Sequence, residues 1–397
     1  MESTIKESTN LKLYTSFDEM SLPDNLLRGI YSFGFERPSQ IQQKAIVPIK
    51  EGNDILAQAQ SGTGKTGTFC IGTMSRIDPT LKAPQVLVLS PTRELADQIE
   101  AVARGLGSHL GINHYCATGG KEIHHDLQAL KNGPQFIVGT PGRIWDLMNR
   151  KGYNGSSPAL PRNHIKVIVM DEADQMLENK FREQIMAILQ LGFPKDSRVA
   201  LFSATMPKEV VEFAENLLHE PVRILIPPEA VTLDGIKQFY VALDREDWKY
   251  DALCDIFSSL SINQAMIYAN KRQRVEWLFE KMNAQGFPVS YIHGEMDVGE
   301  RRRRMADFRS GSSRVLISTD LTARGIDVQQ VSLVINFELP VQKENYIHRI
   351  GRSGRYGKKG VAINLIAPDE TTMMKEIESH YATHMAELPN ELSKINI

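Results

Sequence analysis

Three short stretches of the sequence combine side chains suited to phosphate chemistry. Ala59-Gln-Ser-Gly-Thr-Gly-Lys-Thr66 sets two glycines, a lysine and a threonine between an apolar run and a helix-like run, Phe69 to Ile77. A phosphate-binding loop needs that context: Gly62, Thr63 and Gly64 let backbone N–H groups approach a triphosphate, and the following helix start adds positive potential. Lys65 would reach the β- and γ-phosphates, and the Thr66 hydroxyl would ligate Mg2+. The plain alternative is a glycine-rich turn with an exposed lysine, and Ala59 stands where the general pattern has its first glycine. Asp171-Glu-Ala-Asp174 directly follows the apolar run Val167–Met170. A carboxylate at such a strand end is placed to hold Mg2+, which assigns Asp171 to the metal. The adjacent Glu172 is placed to orient or deprotonate an attacking water. An acidic helix start would read similarly, since carboxylates favour that end of the dipole. Arg352 and Arg355, spaced by three, would set two guanidinium groups on a γ-phosphate. With Arg349 they would otherwise form an exposed basic helix.

Such groups work only if something rigid holds them together. In the first half, short apolar runs occur at Asp54–Ala57, Val86–Leu89, Phe136–Val138, Val167–Met170 and Val199–Phe202. In the second half they occur at Ala265–Tyr268, Val289–Ile292, Val315–Ile317, Leu333–Ile335 and Val361–Ile363. Runs apolar on both faces, alternating with helix-like segments, predict parallel sheets covered by helices on both sides. The reactive residues fall just after these runs, where ligands bind in open α/β sheets. Ile226-Pro-Pro-Glu229 and Asp234-Gly235 interrupt the pattern, because a Pro-Pro pair continues neither a helix nor a central strand. The expected organisation is therefore a domain over 1–225, a linker over 226–235 and a second domain over 236–397. The turn-rich stretch Lys151–Asn163 is expected to be a long surface loop.

The order of these stretches resembles the DEAD-box ATP-dependent RNA helicases, whose signature Asp171–Asp174 spells. Gly34-Phe-Glu-Arg-Pro-Ser-Gln-Ile-Gln42 resembles the family's adenine-reading segment, with Phe17 upstream. Pro91–Ala96, Gly119-Gly120, Thr140–Arg143 and Ser203-Ala-Thr205 follow in family order, then Met266–Arg272, Ser318–Asp327 and His348–Arg355. The resemblance spans nearly the whole chain and implies two RecA-like domains, ATP and Mg2+ as cofactors, and single-stranded RNA as partner. It places Phe17, Phe35 and Gln42 at the adenine; the Gln42 amide both donates and accepts, although a glutamine in a turn is commonly just solvated. It sets Asp327 on the ribose or the arginine fingers, and His348 in a network with Asp174, Ser203 and Thr205. Arg93, Gly120, Thr140, Arg143, Thr319 and Arg324 are expected in turns that meet phosphate and sugar, contacts that fix register without reading sequence. Arg301 of the run Arg301–Arg304 would join them, the other arginines being equally well a solvated basic face. Val298 stands where the family commonly has glutamine, Gln175 where it has an acidic residue, and the Lys151–Asn163 loop looks long. Gln58–Phe69, Ser310–Asp320, Ala323–Asn336 and Glu344–Arg352 most resemble the translation-initiation branch of the family. That branch implies a bridging scaffold of the initiation factor 4G type. The branch that clamps RNA in the exon junction complex is the alternative.

Composition bounds these readings. A chain of 397 residues exceeds what one core usually serves. Hydrophobic residues at 42% and charged residues at 24% are those of an ordinary globular protein. Cys70, Cys116 and Cys254 lie far apart, so no zinc ribbon or disulfide framework is read. The polar start and the lack of a long apolar run predict a soluble intracellular protein. A net charge of −2 argues mildly against constitutive nucleic-acid binding and is compatible with a few phosphate contacts.

Overall fold

The computed structural model describes residues 7–9, 11–60, 62–152, 155, 157–178, 181–226, 236–260, 262–320, 331–353 and 360–389. It divides into two compact units, Met1–Val231 and Thr232–Ile397. Of the expected linker only Ile226 is among the described residues.

The first unit holds β1 (Ile55–Gln58), β2 (Val86–Leu89), β3 (His114–Ala117), β4 (Phe136–Gly139), β5 (Val167–Met170), β6 (Arg198–Ser203) and β7 (Val222–Leu225). Its helices are α1 (Asp24–Ser32), α2 (Gln40–Glu51), α3 (Lys65–Met74), α4 (Arg93–Leu106), α5 (Ile123–Lys131), α6 (Pro141–Asn149), α7 (Ala173–Glu178), α8 (Phe181–Gln190) and α9 (Lys208–Leu217). The strands form one parallel sheet in the order β3-β4-β2-β5-β6-β1-β7. Alternation along each strand sends Val86, Val88, Val167 and Val169 into the core on one face. Leu87, Leu89, Ile168 and Met170 go to the other.

The second unit holds β8 (Ile236–Ala242), β9 (Ala265–Tyr268), β10 (Val289–Ile292), β11 (Val315–Ser318), β12 (Leu333–Asn336), β13 (Gly360–Ile366) and β14 (Ala386–Glu387). Its helices are α10 (Lys249–Ser259), α11 (Arg272–Ala284), α12 (Val298–Ser310), α13 (Glu344–Ile350) and α14 (Thr371–Tyr381). The sheet order β10-β11-β9-β12-β13-β8-β14 repeats that of the first unit strand for strand. The common rhythm of the two halves is thus one topology used twice.

The ten expected strands are present, with ends shifted by a residue or more in several. Four others have no counterpart in the expected set: β3, β7, β8 and β14. Three of them are sheet edges, where one flank meets solvent and a continuous apolar run is not required. The helix expected over Phe69–Ile77 instead begins at Lys65 and ends at Met74. The Lys151–Asn163 stretch is not purely a surface loop, because Ala159 and Leu160 are buried in the first unit's core. No helix among the described residues is long and apolar enough to cross a membrane.

Candidate nucleotide and RNA sites

Sheet order sorts the motifs into two groups. β5, β6 and β1 are neighbours, so the segments leaving their carboxyl ends converge: Asp171–Asp174, Ser203–Thr205 and the Ala59–Thr66 loop. The backbone joins them directly, the Ala59 N–H donating to Ser203 O at 3.0 Å. β3, β4 and β2 form the other half of the sheet, and their ends lead into Gly119-Gly120, Thr140–Arg143 and Arg93.

In the first group, Gly64 caps α3 at φ +99, and a Cβ there would stand 2.8 Å from Ser39 Oγ. Lys65 opens α3 nearly buried, and its Nζ lies 3.2 Å from Glu172 Oε1. Thr63 Oγ1 donates to Gln60 O at 2.7 Å, which tightens the loop. Gly62 is exposed, and Thr66 half-buried one position along α3. Glu172 sits at φ +53, a left-handed conformation that costs a non-glycine residue on the order of 1 kcal/mol or more. Its N–H donates to Asp171 Oδ1 at 3.0 Å. Its Oε2 is buried and finds no hydrogen-bond partner among the described residues. Burial pushes the Asp171 carboxyl up to about 7, Lys65 pulls it the other way, and the charges of Glu172 and Asp174 raise it further. Asp174 accepts the Thr205 hydroxyl at 2.7 Å, and its N–H donates to Ser203 Oγ at 3.2 Å. Three buried carboxylates, Asp171, Glu172 and Asp174, beside one lysine leave this cluster short of positive charge.

In the Gly34–Gln42 segment, Gln42 is N3 of α2 and its side chain reaches back to cap the Ser39 backbone. Its Oε1 accepts the Ser39 N–H at 2.8 Å, and its Nε2 lies 3.4 Å from Gly64 O. The amide is therefore held against the phosphate loop rather than solvated. Phe17 is fully buried, with its ring stacked on Phe35 at 6.4 Å between centroids. Phe35 is half-buried, and the buried Phe17 ring packs against it. The sequence reading passed over Gly67, where a Cβ would come within 2.8 Å of both Gln42 and Phe35. A glycine three residues after the loop glycine was the available signal.

In the second group, Gly120 turns the chain at φ +86 beyond β3 and is exposed. A Cβ on Gly119 would meet Arg93 at 3.4 Å, and Thr140 N donates to Ala117 O at 3.2 Å, so these motifs share one edge. Two of the expected turn residues lie on helices: Arg93 opens α4 and Arg143 is inside α6. Arg143 is not left open to solvent. It pairs with the buried Asp126 of α5 and donates to Lys121 O at 2.8 Å.

In the second unit, the arginines of α13 and the turn after it do not form an exposed basic helix. Arg349 is fully buried and donates to Asp320 at 2.5 Å, Asn270 at 2.7 Å and Glu338 O at 2.7 Å. It thereby ties together the segments leaving β9, β11 and β12. Arg352 is nearly buried, its Nε donating to His348 O at 3.0 Å, and His348 is buried as well. Thr319 is half-buried after β11, where its carbonyl accepts the Ser318 hydroxyl at 2.8 Å. Arg301 is also buried, Nη1 lying 3.4 Å from Gly294 O, so it faces the body of the unit rather than solvent. Val298 opens α12 behind the Asp297 cap. Arg324, Asp327 and Arg355 lie outside the described residues.

Residues 39–213 match the DEAD/DEAH box helicase family, and residues 248–357 match the helicase conserved C-terminal domain. The chain belongs to the DEAD-box ATP-dependent RNA helicases, and is an enzyme of that class. It is similar to the ATP-dependent RNA helicase eIF4A of Neurospora crassa, at 52% identity over 98% of this chain and 96% of that protein. The eIF4A of Aspergillus fumigatus is 51% identical over 98% of this chain and 94% of its own. Among solved structures, S. cerevisiae Dbp5 bound to RNA and ADP BeF3 has a TM-score of 0.87 at 34% identity, covering 96% of this chain and 97% of that one. Mss116p bound to ssRNA and AMP-PNP has a TM-score of 0.84 at 26% identity, covering 98% and 82%.

Proposed function

We propose that this chain couples ATP hydrolysis to local, sequence-independent unwinding or remodelling of RNA during translation initiation on mRNA. The observation that carries the reading is the cluster at the ends of β1, β5 and β6, where Lys65 pairs with Glu172, the Glu172 N–H donates to Asp171, and Asp174 accepts the Thr205 hydroxyl. Relatives named as eIF4A, at half identity over nearly the full length, support the biological setting.

The Glu172 Oε2, which meets no partner among the described residues, and the raised Asp171 carboxyl fit a magnesium-bound triphosphate. Thr66 and Asp171 would hold Mg2+, which when bound offsets negative charge on the phosphoryl group being transferred. Lys65, freed from Glu172, holds the phosphates. Glu172 then orients the attacking water and takes its proton. Gln42 and Phe35 hold the adenine, the amide meeting its edge and the ring its face. Arg352 and Arg355, with Asp327 on the ribose or on those arginines, come from the second unit, so hydrolysis calls on residues of both units. Arg93, Gly120, Thr140, Thr319, Arg324, Arg143 and Arg301 serve the RNA, the last two by holding the surfaces that touch it. Thr205, Ser203, Asp174 and His348 link nucleotide state to RNA grip.

A net charge of −2 leaves little sequence-independent attraction to RNA. A scaffold of the initiation factor 4G type that engages both units would raise the competent fraction, and with it the apparent affinity. The setting is the cytoplasm. The reading as an exon-junction clamp is less favoured, because relatives carrying the initiation-factor name match over nearly the whole chain.

The test is ATPase of the full chain with RNA, with DNA and with no polymer, paired with pull-down from extract. Stimulation by RNA that DNA does not reproduce, with recovery of initiation factors, is expected. Equal stimulation by DNA, or RNA held after closure together with splicing components, would overturn it.

A further inference from the structure

Asp126 lies fully buried on α5, outside every stretch so far assigned to chemistry. Its Oδ1 accepts the Tyr115 hydroxyl from β3 at 2.5 Å, and its Oδ2 pairs with the Arg143 guanidinium from α6. Another Arg143 nitrogen donates to Lys121 O at 2.8 Å, next to Gly120. One carboxylate thus ties together β3, the turn after it, α5 and α6. On the far side of the same turn, Thr140 N donates to Ala117 O at 3.2 Å.

A buried ion pair is poor evidence for stability, because apolar residues of similar volume often serve as well; its attested use is to fix one geometry. Here the geometry fixed is that of a glycine turn, which on its own has the widest conformational freedom. Burial and the neighbouring Asp126 push the Tyr115 phenol up, so it remains a donor throughout the physiological range.

We propose that Asp126 is a positioning residue for RNA: through Arg143 and Tyr115 it holds the Gly119–Lys121 turn beside the start of α6, so that this surface meets a sugar-phosphate backbone already shaped. The proposal rests on the RNA reading above, and deepens it by naming the group that sets the surface. Asp126 itself touches no RNA. A preformed surface avoids the ordering cost that a free turn would pay on binding.

The test compares wild type with Asp126→Asn, which keeps the side-chain volume, and with Tyr115→Phe. ATPase is measured against RNA concentration, and amide exchange is followed over 118–122. For Asp126→Asn the KM for RNA should rise about tenfold or more, the range for losing a charge-assisted hydrogen bond. The rate at saturating RNA and the nucleotide affinity should stay near wild type, and exchange in the turn should quicken. Tyr115→Phe should shift KM the same way by less. Unchanged exchange, or a parallel loss of nucleotide affinity, would overturn the proposal. Faster exchange with an unchanged KM would remove the positioning role alone, whereas no RNA stimulation of wild type would strike the RNA reading itself.

Discussion

Replacing Asp171 by asparagine should stabilise the ligand-free chain while abolishing its activity. The carboxyl is pushed up from 3.8 to about 7, chiefly by burial. Because the folded value lies above the unfolded one, the associated stability is fully present below about pH 4 and is lost as pH rises through about 7. At about 1.36 kcal/mol per unit, a shift of this size corresponds to about 4 kcal/mol at pH 8 in a rigid, dry site. Relaxation and water penetration raise the effective dielectric, so roughly half of that, ~2 kcal/mol, is expected to be measured. The amide oxygen of the asparagine would still accept the Glu172 N–H that Asp171 accepts at 3.0 Å, so the turn is preserved. For a unit of this size, ~2 kcal/mol corresponds to about 4–8 °C in Tm. Thermal unfolding in EDTA should therefore show Asp171→Asn above wild type at pH 8, with most of the difference gone at pH 4.5. Added Mg2+ and ATP should reverse the order, since ligand stabilises only the form that binds it. A Tm for the variant at or below wild type at pH 8 in EDTA would refute the reasoning.

Glu172→Gln should bind nucleotide and RNA but hydrolyse about 10²–10⁴-fold more slowly, as when a catalytic acid/base group is removed. A single-turnover rate near wild type would exclude Glu172 as the base. Gly67→Val should weaken ATP binding, since its Cβ would enter the space of Gln42 and Phe35 at 2.8 Å; titration with a fluorescent ATP analogue reads this, and unchanged affinity would show that the contact is dispensable. Arg349→Met should destabilise the second unit by about 3 kcal/mol, because buried partners of the guanidinium lose their donor. Urea unfolding measures it, and a midpoint equal to wild type would contradict the structural role given to Arg349.

The sequence by itself determined the parts that are local. The central strands are legible because being buried on both faces demands runs such as Val86–Leu89 and Val167–Met170, and the phosphate loop because its backbone conformation demands glycine at 62 and 64. The chemical identity of Lys65, Asp171 and Glu172 follows from residue type alone. What the tertiary structure decided is which of these groups meet. Sheet order, a property of pairing between distant strands, places β5, β6 and β1 side by side and so joins Glu172 to Lys65 across the fold. The edge strands β3, β7 and β14 escaped the sequence because an edge does not need the apolar pattern that marks a centre. Burial decided the arginines: a guanidinium reads alike on paper whether it faces solvent or not. Only packing shows Arg349 and Arg143 enclosed by acceptors from separate segments. Asp126 was invisible for the same reason, since a lone carboxylate in a helix gains its meaning from a tyrosine and an arginine that only the folded chain brings to it.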